Sequence, residues 1–567
     1  MLREVGPLCA HDAGDGFNTN SRERDEGLQR PGSPAPHPSG PAQTRALVLS
    51  WPRSVRPPAS RVPLRVAQPS SKLDRCERVG ALAPTTSTAS KMVKWLRTNF
   101  PRSAASDIGG SLSPTGSTTM ACLCERLLPR TQGADEAGHA RAAASGMKIS
   151  IHLGDRIGYA CSKSPYSLPA SLLTRHCYVI GKTGTGKTTL LQNAVASLIQ
   201  QGQGIGVIDP HGDFASALLD LVPPERVNDV VYLDPADPTH APALNLVSSV
   251  TRPEDRPLIA SALVAAFRHI WSESWGPRME YILYNSLRVL LDSQNTSLVS
   301  LPRLLSDPDY RRSLVKQCQD PFVRHFWDEE FGRWDDRFLR EAIAPIQNKL
   351  GQFTTMPPLR HMLGQIPLRI NFREILDSGK ILVVNLSKGS LGDDASRLLG
   401  ALITAFIAST AMGRSNQKET ERRDFVLFID EAQNFLSDAL ASILSESRKY
   451  GLGLVLSHQF LDQLPLRLQS AVLGNAGTTI CFAVCGEDAQ RFEVNFGGNF
   501  RAHQFTDLAP FTALVRAADD ARFPFRLESA PPSAKRYRCR RTILHRCRQR
   551  YCGRRLKVEA RLARFLR

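Results

Sequence analysis

One stretch constrains this chain more than any other: Val179-Ile180 followed by Gly181, Lys182, Thr183, Gly184, Thr185, Gly186, Lys187, Thr188 and Thr189. It fits G-x-x-x-x-G-K-[ST] completely, and the pattern has a mechanical meaning. A short apolar strand feeds a glycine-rich turn, whose backbone folds tightly enough to aim successive N–H groups at phosphate oxygens. The helix that follows offers the same anion its positive end. Tyr178-Val179-Ile180 before the turn, and Leu190, Leu191, Val195 and Ile199 after it, supply the apolar strand and the apolar helix face that this reading needs. Gly181–Thr189 is therefore the expected nucleotide-binding loop, with Lys187 reaching the β/γ-phosphates and Thr188 ligating Mg²⁺. The implied cofactors are ATP and Mg²⁺.

The remainder of the chain divides by composition. Residues 1–146 are dense in Pro, Ser, Gly, Ala and Arg and carry no sustained period, so they cannot bury enough apolar surface to offset chain entropy. They are expected to be a disordered or misassigned extension, with Met147 as the natural start. From 147 to 250 the order strand, phosphate loop, helix, strand (Gly204–Asp209) implies a parallel sheet. Residues 251–365 read as helices, through Ile259–Trp271, Met279–Leu291, Leu301–Leu305 and Phe338–Leu350, with Trp271, Trp275, Trp327 and Trp334 packing them. The α/β pattern returns over 366–530: strands at Ile381–Asn385, Phe425–Ile429, Leu452–Leu456 and Thr479–Val484, helices at Ala395–Ala411 and through Leu440, Ile443 and Leu444. The expectation is an α/β fold whose mostly parallel sheet of about six strands is interrupted by an inserted all-α subdomain. Residues 531–567 read as a basic disordered tail.

Charge follows the same division. The formal net charge of +18 is concentrated outside the centre: residues 1–146 hold 19 Lys+Arg against 12 Asp+Glu, and 535–567 hold 14 against 1. The central 388 residues are close to neutral, so global basicity says nothing of whether the core touches a polyanion. Twelve cysteines without a C-x-x-C pair read as reduced thiols rather than a metal framework. The apolar run Leu398–Gly413 is short for a membrane span and rich in small residues, hence a core helix, with no transmembrane segment evident. A cytoplasmic protein is expected, with recruitment to the inner face of the membrane open.

Hydrolysis needs acids beside the phosphates. Phe425–Ile429 delivers Asp430-Glu431 to the C-terminal edge of the sheet, where open α/β folds bind ligands. Asp430 is the candidate Mg²⁺ ligand and Glu431 the group that polarises the attacking water. Ser457-His458-Gln459 leaves a third strand, and Gln459 is the candidate that senses the γ-phosphate, ordinary loop polarity being the alternative. Arg448, in Arg448-Lys449-Tyr450-Gly451, either complements a helix dipole or acts as an arginine finger toward a neighbouring subunit.

Together, Gly181–Thr189, Asp209-Pro210-His211-Gly212-Asp213, Asp430-Glu431-Ala432-Gln433 and Ser457-His458-Gln459 resemble the HerA–FtsK superfamily of DNA-pumping ATPases, most of all the TraG/TraD-like conjugative coupling ATPases. Trp275-Gly276-Pro277-Arg278, Glu446–Gly451 and Gly474–Thr478 are similar to stretches of those proteins, and the resemblance covers roughly 147–528. It implies a RecA-like motor domain with an all-α insertion and a homo-hexameric ring around DNA. Arg448 then gains weight as the finger, relaxase and secretion-channel proteins become candidate partners, and Asp209, His211 and Asp213 fall beside the nucleotide without an assigned role. Two departures stand out: the N-terminal membrane helices of anchored relatives are not evident, and Ala483 occupies a position where many relatives carry Arg. A HerA-like repair translocase serving a nuclease, or a nucleotide-dependent assembly module without motor activity, are the rival readings.

Overall fold

The computed structural model describes residues 149–250, 252–436 and 444–565. The expected extension 1–146 and the expected helical turn at Leu440 and Ile443 lie outside them. In the first α/β segment the strands are β1 (Ser150–Ile157), β2 (Lys163–Pro169), β3 (Cys177–Ile180), β4 (Gly204–Asp209), β5 (Val230–Leu233) and β6 (His240–Pro242). Helix α1 (Lys187–Gln200) follows β3, and α2 (Asp213–Leu218) follows β4. A run of helices then intervenes, the longest being α3 (Arg256–Ile270), α4 (Pro277–Asp292) and α5 (Asp336–Thr355). The chain returns through β7 (Ile381–Asn385), α6 (Asp393–Met412), β8 (Phe425–Ile429), β9 (Leu452–His458) and α7 (Leu466–Asn475). It continues with β10 (Thr478–Cys481), α8 (Gly486–Asn495), β11 (Thr512–Arg516), β12 (Phe525–Ser529), α9 (Arg540–Tyr551), β13 (Cys552–Arg554) and α10 (Arg555–Phe565).

Eleven strands form one sheet in the order β2-β1-β12-β11-β10-β3-β9-β8-β4-β7-β5. From β10 to β5 every pairing is parallel. The four strands on the other side pair antiparallel. The sheet exceeds the expected six strands by β5 and by the antiparallel strands β1, β2, β11 and β12. In the parallel part, β3, β7, β8 and β9 are buried along their whole length, as crossover helices on both faces require. Their period of two still sorts the side chains: Val179, Val207, Val383, Phe428 and Val455 face α1 and α2, while Ile180, Ile208, Val384, Ile429 and Leu456 face α3, α4 and α6.

The inserted helices pack as the sequence suggests. Trp271 and Trp327 are buried, and Trp275 and Trp334 lie half-buried against the same core. Helix α6 is, with the turn after it, the one helix among the described residues long and apolar enough to cross a membrane, and 83% of its apolar window is buried inside the fold.

The basic C-terminus departs from expectation. Residues 531–567 are not a disordered tail: among the described residues, α9 lays Ile543 and Cys547 into the core beside β5, with Cys547 Sγ 3.2 Å from the Val230 carbonyl. Strand β13 pairs with β6. Helix α10 buries Val558 and Leu562, and its Glu559 bonds to Arg360 at 2.7 Å and to His361. Net composition hides this because the two buried residues of α9, Ile543 and Cys547, fall four apart and so share one face.

Candidate functional site

The loop Gly181–Thr189 is held from three sides. Gly181 N–H donates to the His458 carbonyl at the end of β9 (3.4 Å), Lys182 N–H to the Ala483 carbonyl beyond β10 (2.8 Å), and Phe511 N–H to the Thr185 carbonyl (2.8 Å). Gly184 and Gly186 have φ of +79° and +112°, a left-handed backbone that a side chain would strain. Lys187 is buried, and its ammonium donates to the carbonyls of Gly181 and of Lys182 (2.9 Å). Thr188 is exposed at the first turn of α1. Ala483 therefore meets the loop through its backbone, whatever its side chain.

The acidic pair lies two strands away. In register, Ile180 stands beside His458, Leu456 beside Ile429, and Ile429 beside Ile208. Asp430 and Asp209 consequently share the level of Ser457, two residues short of Gly181 and Gln459, and all four lie at the C-terminal edge of the parallel strands. Burial lowers the Lys187 ammonium, while Glu431 and then Asp430 pull it back up. Burial, with the neighbouring charges of Asp209 and Glu431, pushes Asp430 up to about 6. A buried carboxylate crowded by two others calls for a cation.

Glu431 adopts φ +46° and ψ +52°, left-handed for a non-glycine residue. Such strain persists where surrounding contacts fix it, and here they are explicit. Its carboxylate accepts from Gln459 Nε2 at 3.1 Å and from Gln433 Nε2 at 2.8 Å. Its carbonyl accepts from Asn434 Nδ2 at 2.9 Å, and Lys388 holds the Asn434 oxygen at 3.0 Å.

The other candidates separate. Asp209 is fully buried, and its two oxygens accept from the amides of His211 (2.8 Å) and Ala215 (2.9 Å), fixing the turn into α2. His211 and Asp213 are exposed beside it. His458 ties β9 to β3 through Tyr178 (2.7 Å), and burial lowers it to about 4, so it is neutral and structural. Arg448 is exposed, before β9 begins. A seven-residue strand, roughly 20 Å, separates it from the loop of its own chain. Gln433, Asn434, Lys388 and Phe511 received no role from the sequence. Gln433 and Asn434 lie within three residues of Glu431 and carry a local signal; Phe511, over 300 residues from the loop it touches, carries none.

The geometry can cradle a triphosphate on backbone N–H groups, hold a divalent cation on Thr188 and Asp430, and orient a base beside it. The residues present fit both groups: the left-handed glycines open the cradle, and the buried Asp430 carboxylate supplies a hard oxygen donor.

No curated protein matches this chain. Among solved structures, the plasmid coupling protein TrwB in complex with ADP and Mg²⁺ superposes with a TM-score of 0.52 at 18% identity, over 70% of this chain and 98% of that one. TrwB in complex with a non-hydrolysable ATP analogue gives 0.52 at 18%, over 70% and 97%. TrwB with a GTP analogue gives 0.50 at 17%, over 69% and 96%. At these identities the likeness is one of fold. The model of the type IV secretion-system coupling protein DNA-binding domain matches residues 161–499, more than half of the chain. With a P-loop, a mostly parallel sheet and a helical insertion in that order, the chain belongs to the family of type IV secretion-system coupling proteins, the conjugative P-loop class that includes TrwB.

Proposed function

We propose that this protein is an ATPase that couples hydrolysis to the movement of DNA, working as a hexameric ring at a conjugative secretion channel. The observation that carries this reading is the convergence of Gly181–Thr189, Asp430-Glu431 and Gln459 on one sheet edge, with Glu431 held by two amide donors. Backbone N–H groups of the loop and the Lys187 ammonium bind the β/γ-phosphates, and Thr188 and Asp430 hold Mg²⁺. Bound there, the cation supplies charge neutralisation at the phosphate oxygens. Glu431 accepts a proton from the attacking water, and Gln459 keeps its carboxylate aimed. Arg448, remote from its own loop, serves a neighbouring subunit's nucleotide as an arginine finger. DNA contact is to phosphates, independent of sequence and sensitive to salt. The site lies on the cytoplasmic side, with recruitment to the inner membrane face through channel or relaxase partners.

ATP turnover measured with and without double-stranded DNA tests the reading. DNA should stimulate turnover in the wild type, and Lys187→Ala should abolish it. A rate indifferent to DNA would favour the assembly module over the motor.

A further inference from the structure

The strand order fixes the direction in which a bound nucleotide must lie. Asp430 and Glu431 leave β8, on one side of β3 with β9 between. The γ-phosphate end of a triphosphate on Gly181–Thr189 therefore points toward β9 and β8. Its other end, with the ribose and base, points toward β10 and β11.

Phe511 stands on that side. It directly precedes β11, which runs antiparallel to β10 with Leu514 opposite Cys481, so Phe511 is at the same sheet edge as the phosphate loop. Its backbone is fixed by three hydrogen bonds. The amide donates to Thr185 O, and the carbonyl accepts from Ser529 N (2.8 Å) and Ser529 Oγ (3.0 Å). Its φ is +63°, unusual for a bulky residue and maintained by those bonds. Ring atoms Cδ1 and Cε1 rest at the position a Gly186 side chain would fill. Yet the residue remains 44% exposed. A rigid aromatic, braced on the loop and open to solvent beyond it, presents a flat apolar face at the end of the loop away from the acidic pair.

We propose that Phe511 is the nucleobase platform of this site: the heterocycle of the bound nucleotide stacks on its exposed face. The proposal rests on the nucleotide reading of Gly181–Thr189 and assigns that site its base-recognition residue. Stacking accepts any base, because every base has a π-face; the ring supplies affinity without choosing between purines by hydrogen bonding.

Calorimetric titration of the full chain with ATP and with inorganic tripolyphosphate, both with Mg²⁺, tests it. Phe511→Ala should weaken ATP binding roughly tenfold or more, leave tripolyphosphate binding within twofold of wild type, and lose no affinity when the change is Phe511→Trp. Unchanged ATP affinity in Phe511→Ala would overturn the platform. So would equal losses for ATP and tripolyphosphate, which would make the ring a brace for the loop only. If the wild type binds neither ligand, or Lys187→Ala binds both as tightly as wild type, the nucleotide reading itself fails and the platform falls with it.

Discussion

Gln459 Nε2 donates to the Glu431 carboxylate at 3.1 Å across the ends of two adjacent strands, β9 and β8. In the proposed mechanism the bond links the residue beside the γ-phosphate position to the base that activates water. The amide donor fixes the direction of the carboxylate. Gln459→Ala should lower kcat about 10- to 100-fold, the worth of a hydrogen bond to a charged group, with KM for ATP nearly unchanged. Steady-state kinetics of a double-mutant cycle check this: adding Gln459→Ala to Glu431→Gln should cost little more than Glu431→Gln alone. Additive losses would separate the two residues.

Arg448 touches none of the loop in its own chain, and it is exposed at the far edge of the sheet. If it completes a neighbour's site, Arg448→Ala should reduce turnover on the order of 10³-fold while nucleotide binding and thermal stability stay as in the wild type. Rings mixed from Arg448→Ala and Lys187→Ala subunits should recover part of the activity, since one interface can then hold both intact residues. No recovery in mixtures would return Arg448 to a role within its own subunit.

Acid should weaken the fold through His176. Its Nδ1 accepts from Leu454 N–H at 3.1 Å and its Nε2 bonds to the Leu444 carbonyl at 3.0 Å. Burial lowers it to about 4, with Arg448 pressing the same way and the Leu444 carbonyl opposing. The unfolded chain takes up this proton near pH 6.5 and the folded chain only near 4. The stabilisation is therefore complete above pH 6.5 and falls away as pH drops toward 4, by on the order of 3 kcal/mol. Denaturant unfolding at several pH values should show a shallower decline for His176→Asn than for wild type. Parallel declines would remove His176 from the account.

The C-terminal segment closes the sheet. Ile543 is fully buried against β5, which is the sheet's last strand. Ile543→Ala should cost about 2–5 kcal/mol, and truncation after residue 530 should expose β5 as an unpaired apolar edge prone to aggregation. Thermal melts and light scattering measure both. A truncated chain that melts and scatters like wild type would mean α9 contributes nothing to the fold.

The sequence reveals this molecule where chemistry is local. The glycine loop, the apolar run ending in Asp430-Glu431, and the strand ending in Gln459 each announce themselves within a dozen residues, because buried parallel strands are continuous apolar runs. Contacts that depend on distant residues stay hidden. Phe511 reaches the loop through β11, and Lys388 reaches Glu431 by way of Asn434, pairings set by strand order that periodicity does not report. The folded C-terminus was hidden for a different reason: its arginines dominate composition, while the docking of α9 rests on a few apolar positions, Ile543 and Cys547 among them.

The most direct test is to measure ATP binding and ATP turnover on the same preparation of Glu431→Gln. ATP affinity should stay close to wild type while turnover falls about 10²- to 10⁴-fold, the contribution expected of a positioned general base. Turnover at the wild-type rate would contradict this, because the acid pair would then have no part in the chemistry at the glycine loop.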